Sequence, residues 1–384
     1  MRHDLIVVGG GPVGASLACA VRGLSVALVA ERPLDRPLAP AQFDSRVYAL
    51  SPANVAFLRA IGGWRAVPPE RVTPVHAMSI HGDDGRARLE FDALEGGIAE
   101  LAWIVEDYVL QRALWSALSA VEVLDGAACE RLVVDSAGAT LFLSNGPALR
   151  ASLVVGADGA HSFVRREAGI GASESEYRQA GVVANFHCGK PHRHTARQWF
   201  QRGGAVLALL PLPGEQVSMV WSLPVSEAER AMALDAETLA AEVTRASQGA
   251  LGELRPASAP RSYPLRRLAA RSLVAPRIAL VGDAAHVIHP LAGQGLNLGL
   301  QDVRVLADAL AERQPGRDPG DYRLLRRYER SRAEPILAMD GVVHGLYRLY
   351  GAESGLMSRL RNAGLNLTDR LPVVKNILMR RATS

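Results

Sequence analysis

The stretch DLIVVGGGPVGASLACAVRGLSVALVAE, residues 4–31, constrains the fold more than any other part of the chain. An apolar run, Leu5–Val8, leads into Gly9-x-Gly11-x-x-Gly14; a short helix follows, then a second apolar strand, Val26–Val29, ending at Glu31. Gly9 permits a tight turn, Gly11 lets a pyrophosphate approach the backbone, and Gly14 lets helix and strand pack closely. The helix N-terminus offers unpaired N–H groups and a positive dipole end to a diphosphate. Glu31 stands 20 residues after Gly11, where an acid binds ribose hydroxyls. The interval from Gly14 to Gly23 is short for such a helix, which leaves open whether Glu31 or Arg32 meets the ribose. The expectation is an α/β fold on a Rossmann-like dinucleotide-binding unit. The motif alone does not separate NAD from FAD.

With 384 residues, 48% of them hydrophobic, the chain can build two cores, since single cores rarely grow past about 250–300 residues. Three scattered cysteines, Cys19, Cys129 and Cys188, fit a reducing compartment. The N-terminal LIVV is stopped by glycines and is too short for a signal peptide. No run approaches the roughly 18 apolar residues of a membrane span. These features predict a soluble, cytoplasmic protein. The net charge is +4, and residues 351–384, with six basic and two acidic side chains, account for all of it. That distribution argues against a nucleic-acid partner.

A second stretch, ALVGDAAHVIHPLAGQGLNLGL at residues 279–300, extends the reading. Ile278–Val281 is short and apolar, as a buried parallel strand should be. Gly282 and Asp283 then fall at its C-terminal end, where ligands bind in open α/β sheets. An ionised Asp283 there can accept from a sugar-alcohol hydroxyl such as a flavin ribityl chain; the plainer alternative is that it caps the next turn. Pro290 to Gly295 cannot be helical, whereas Leu296, Leu300, Val303, Leu306 and Leu310 follow a helical period. A helix starting near Gly295 would aim its free N–H groups at whatever fills the loop.

GDAAHVIHPLAGQGLNLGLQD resembles the second FAD fingerprint of the single-component aromatic hydroxylases, the group containing para-hydroxybenzoate hydroxylase. The resemblance implies that Asp283, after Gly282, binds the FAD ribityl. It also implies that Pro290 and Gln294 line the flavin face, and that Gly295, Leu296 and Asn297 meet the pyrimidine edge. His286 would hold the loop by hydrogen bonds rather than act as a base. LVVGADGAHSFVRREAGI (153–170) is similar to a further fingerprint, in which Asp158 and Gly159 serve both FAD and the pyridine nucleotide, with Ser162 and Arg165 beginning a helix. FDSRVYALSP (43–52) places Arg46, and YVLQRALWSAL (108–118) places Gln111, where the family meets the FAD diphosphate.

Together with ELAWIVEDYVLQRALW, LALLPLPGEQVSMVWSLP and PLAGQGLNLGLQD, these segments resemble the ubiquinone-biosynthesis hydroxylases from residue 1 to about 380. The implied activity is FAD-dependent hydroxylation of a polyprenylated phenol with NAD(P)H and O2. A hydroxylase of a non-prenylated aromatic, a flavin reductase on a prenyl lipid and a non-catalytic scaffold are the alternatives. No side chain is identified as the one that activates the phenol. The expected organisation is a discontinuous FAD-binding domain (1–70, 101–178 and 265–330), a β-sheet-rich substrate domain (71–100 and 179–264) and a C-terminal helical segment (331–384). Residues 205–212 and 216–223 alternate around Pro213-Gly214 and read as a hairpin. His187, His192 and His194 read as exposed loop histidines, not a metal set. Residues 351–384 read as short amphipathic helices with a basic face, suited to docking on the protein itself or to a membrane surface or biosynthetic complex.

Overall fold

Strands buried on both faces need continuous apolar runs, and the two runs of the N-terminal stretch supply them. A computed structural model describes residues 2–31, 34, 42–84, 87–289 and 293–351; Arg32, Pro290 and residues 352–384 lie outside the described residues. In strand β1 (Arg2–Val8), Leu5–Val8 are at most 5% exposed. Helix α1 (Pro12–Ala20) leads from it to β2 (Val26–Ala30), which is buried throughout.

These two strands are central in an eight-stranded sheet. Its order is β18 (Val274–Ala275), β19 (Ile278–Leu280), β11 (Leu149–Gly156), β1, β2 and β8 (Glu122–Asp125). From β19 to β8 all neighbours are parallel. Antiparallel β9 (Cys129–Asp135) and β10 (Gly138–Leu143) extend it beside β11. One core joins this sheet to α1 and to α7 (Gly295–Ala311), whose Leu300, Val303, Leu306 and Leu310 are fully buried or nearly so.

A nine-stranded second sheet has the order β20 (His286–Val287), β17 (Arg261–Ala270), β12 (Ala172–His187), β15 (Gln216–Pro224), β14 (Val206–Leu212), β13 (Thr195–Phe200), β5 (Ala77–His81) and β6 (Arg88–Asp92). The short β16 (Arg255–Pro256) pairs with β12. β14 and β15 form the hairpin, turning through Gly214 at φ 71°. On the far face α5 (Val225–Met232) and α6 (Ala236–Ala246) cover a separate core. The sheet reaches beyond 179–264, since β12 starts at Ala172 and β17 runs to Ala270. A small third sheet pairs β3 (Val47–Leu50) and β4 (Val72–Val75) with β7 (Ala102–Glu106), ahead of α3 (Asp107–Ser116). The remaining helices are α2 (Pro52–Ala60), the five-residue α4 (Phe163–Glu167) and α8 (Tyr322–Gly351).

Two sequence expectations need correction. His192 is not exposed: it is 6% exposed, and its Nε2 lies 3.0 Å from the Leu212 carbonyl and 2.8 Å from that of Gly214, pinning the hairpin end. The boundary at 330/331 falls inside α8, which continues through Pro335. That proline sits on the solvent side, where the carbonyl it leaves without a partner can be hydrated.

Candidate functional site

Four of the sequence motifs meet at one edge of the first sheet, because each follows the C-terminal end of a parallel strand. Gly9 follows β1, Glu31 follows β2, Asp158 lies two residues beyond β11, and Gly282 and Asp283 follow β19 after Val281. This is the edge at which open α/β sheets bind ligands.

The glycine loop is shaped by close approach. Gly9 has φ 116°, and a Cβ there would fall 2.2 Å from the Ala157 carbonyl oxygen. A Cβ on Gly14 would lie 1.9 Å from the Gly9 oxygen, so α1 rests directly on the turn. Gly11 differs: a Cβ there would meet nothing within 4 Å. Its backbone therefore borders open space at the N-cap of α1. The indole of Trp115 on α3 donates to the Gly10 carbonyl at 2.8 Å and braces the loop from the side. Nothing in the motif's spacing announces that brace.

Asp158 is tied within its own loop. Its carboxylate accepts from the Ser162 hydroxyl (2.5 Å) and the Val164 N–H (3.1 Å), capping α4. Burial pushes this carboxyl up, against those two donors. Arg165, 5% exposed, donates to the Ala284 carbonyl at 2.8 Å and to that of Ala160 at 2.8 Å, joining the Asp158 loop to the Asp283 loop.

Asp283 stands in a groove and accepts no hydrogen bond among the described residues. Crowding by the groove walls raises its carboxyl above the ordinary range, against the pull of His286 and Arg46, although one side stays open to solvent. Beneath it, His286 Nε2 lies 2.6 Å from Asp302 Oδ2, while Arg332 Nε donates to Asp302 Oδ1 at 2.7 Å. All three are at most 3% exposed. Burial alone would raise the Asp302 carboxyl; His286, Arg332 and the Gly282 N–H (2.9 Å) carry it below the usual range. His286 is thus a structural fixture of the loop. Gly282 (φ 60°) and Gly299 both face Val13, so α7 and α1 close tightly under the groove.

The first turn of α7 has no side-chain cap, leaving the N–H groups of Gly295, Leu296 and Asn297 directed at the preceding loop. The Asn297 side chain turns away: its Oδ1 accepts from the Ser51 N–H and Asn54 Nδ2, both at 2.9 Å, and its Nδ2 donates to the Ala49 carbonyl at 2.8 Å. Only its backbone remains for a ligand. Arg46 and Gln111 converge on Asp107, at 3.9 Å and 2.7 Å, and Tyr48 donates to the same carboxylate at 2.9 Å. The Arg46 guanidinium lies over the Tyr48 ring, 5.6 Å from its centroid, with the Asp107 carboxylate beside it. The loop carrying Arg46 is fixed by fully buried Glu106, which accepts from the Asp44 N–H at 2.5 Å and from Arg71 at 2.7 Å. This anchor too was invisible in the motifs.

The space over Gly11, the unbonded Asp283 carboxylate and the uncapped α7 suit a long ligand with a diphosphate, a polyol and a ring. The family model for the FAD binding domain matches residues 2–339. The ubiquinone hydroxylase UbiL of Rhodospirillum rubrum is 36% identical, over 99% of this chain and 89% of the relative. The chain belongs to the ubiquinone hydroxylase family of FAD-dependent monooxygenases. The 3-demethoxyubiquinol 3-hydroxylase of Escherichia coli, another relative, is 34% identical over 99% of this chain and 98% of its own. Among solved structures, PqsL of Pseudomonas aeruginosa in complex with 2-aminobenzoylacetate has a TM-score of 0.79 at 25% identity, covering 95% of this chain and 99% of that one. The p-nitrophenol 4-monooxygenase PnpA of Pseudomonas putida shares the fold with a TM-score of 0.80 at 19% identity, over 100% and 99% of the two chains. As a member of this family, the chain is an FAD-dependent aromatic hydroxylase that uses NAD(P)H.

Proposed function

We propose that this hydroxylase acts on the ring of a polyprenylated phenol in ubiquinone biosynthesis. The observation that carries the reading is the inner face of the second sheet above the groove, where Ala208, Leu210 and Val220 are partly exposed and no arginine or lysine stands in their strands on that face. Such a roof suits an uncharged, lipid-like phenol, since β14 and β15 offer a substrate carboxylate no cation to pair with. The names carried by the full-length relatives point the same way.

In this reading Gly9, Gly11 and Gly14 with the α1 N-terminus hold the FAD diphosphate, assisted by Arg46 and Gln111. Glu31 binds the ribose and Asp283 the ribityl hydroxyls. Gly282 supplies the turn that presents Asp283, and Asp158 shapes the adjoining loop. The bound flavin supplies the redox chemistry, passing electrons from NAD(P)H to O2 so that one oxygen atom reaches the ring. The chain places the ring, keeps water away and stabilises negative charge at the flavin's pyrimidine end through the N–H groups of Gly295, Leu296 and Asn297. A helix terminus contributes about 0.3–1 kcal/mol in this way, and up to about 2 when partly buried.

A strain lacking the gene tests the substrate. Loss of ubiquinone with accumulation of a prenylated precursor is the expected result in its quinone extract by mass spectrometry. An unchanged pool, with no other hydroxylase able to replace this one, overturns the prenyl assignment.

A further inference from the structure

Alternate residues of β13 face opposite sides of the second sheet. Trp199 faces the core under α5 and α6. Ala196, Gln198 and Phe200 face the first sheet's side. Ala196 packs in a cluster with Leu212 and Ala49, and Phe200 in another with Val206, Ile288 and Leu298. Gln198 falls between these two supports, as do Ala208 and Val220, its neighbours across β14 and β15. The same row continues to Ile80 on β5 and Val183 on β12. Four of these five residues are apolar. The supports flanking the row rest on Ala49 and Ile288, and Ala49 lies against Gly293, where a Cβ would come 3.7 Å from it. The row therefore lies between the support at Ala49, beside Gly293, and the support at Ile288.

Gln198 is 6% exposed and makes no side-chain hydrogen bond among the described residues. A buried polar side chain inside an apolar surface is unfavourable unless a partner arrives. We propose that Gln198 hydrogen-bonds the ring hydroxyl of the substrate and so sets which ring carbon faces the flavin. An amide is both donor and acceptor, so it accepts from a neutral phenol and donates to the same oxygen if the proton leaves. Ala208 beside it is small and partly exposed. This inference rests on the reading of the groove as an aromatic substrate site.

The test compares wild-type holoprotein with Gln198→Ala and Gln198→Leu, the latter keeping the volume, at equal flavin content. Each is titrated with a phenol bearing an ortho geranyl chain and with its methyl ether, following the change in flavin absorbance. The wild type is expected to bind the phenol more tightly than the ether, by about 3- to 10-fold for one neutral hydrogen bond. Both variants are expected to bind the two compounds alike. Discrimination that survives in the variants overturns the role of Gln198. If the wild type ignores both prenylated probes, phenol and anisole replace them. Discrimination lost in Gln198→Leu then upholds Gln198 while contradicting the prenyl reading, and no discrimination by the wild type overturns Gln198.

Discussion

Gly11 and Gly14 look alike in the sequence and do different work in the structure. A Cβ on Gly14 collides with the Gly9 oxygen, while one on Gly11 meets only open space. Gly14→Ala should therefore destabilise the fold by roughly 1–3 kcal/mol, the usual cost of overpacking. Gly11→Ala, whose φ of −68° any residue tolerates, should keep the melting temperature of the flavin-free protein and still lose FAD. Equal losses of stability in the two variants would contradict the assignment. Asp283→Ala should also yield folded protein poor in flavin, because its carboxylate supports no described neighbour by hydrogen bonding; full flavin occupancy would remove Asp283 from the site. Asp302→Asn should instead leave buried Arg332 poorly paired, and loss of one partner of a buried ion pair costs about 3–5 kcal/mol. Thermal melts of the two variants separate these roles. The sequence makes the glycines and Asp283 legible because backbone approach and strand ends follow from chain order. It conceals where Asn297 and His192 point, since that depends on partners hundreds or tens of residues away.

At the scale of elements, the β12 bulge and the loop after β20 are coupled through one histidine. The register of β12 against β17 slips between Glu176 and Gln179, with Arg178 at φ 52°. Gln179 then reaches His289, whose Nε2 lies 3.0 Å from its Oε1. Burial lowers His289 to about 4 from its ordinary value of 6.5. The folded state thus binds this proton less readily than the unfolded chain. The stability it confers is complete above about pH 6.5 and is lost as pH falls toward 4, amounting to about 3 kcal/mol. Melting temperatures measured between pH 7 and 4.5 should fall less steeply for His289→Asn than for the wild type. Parallel slopes would show that His289 carries no such linkage. The period-2 and period-3.6 patterns reveal β14, β15 and α7, because those elements bury a single face or both faces uniformly. The slip in β12 and the passage of α8 through Pro335 leave no such pattern, since each is decided by packing against other elements.

Across the whole molecule, the two large sheets are joined at a few polar points. Asn185 on β12 donates to the carbonyls of Phe43 and Asp44 at 3.1 and 3.0 Å, beside the loop that carries Arg46. Arg267 on β17 pairs with Asp340 on α8. Asn185→Ala should leave two carbonyls poorly satisfied, costing about 1–3 kcal/mol, and should weaken flavin retention together with the melting temperature. A lower melting temperature with unchanged flavin affinity would mean that the Arg46 loop does not depend on the second sheet. The parallel pairing of β5 with β13 brings residues 77–81 beside 195–199, and no local signal in either segment foretells it. That pairing sets Ile80 beside Gln198 and extends the row over the groove. Among the described residues no helix is long and apolar enough to cross a membrane. The proposed reaction inserts one oxygen atom into a prenylated ring. It is tested most directly by incubating the purified holoprotein with NAD(P)H and an ortho-geranyl phenol under isotopically labelled O2, then weighing the product. One labelled oxygen atom in the hydroxylated ring is the expected result; an unlabelled product, or NAD(P)H consumed with only peroxide formed, would contradict the account.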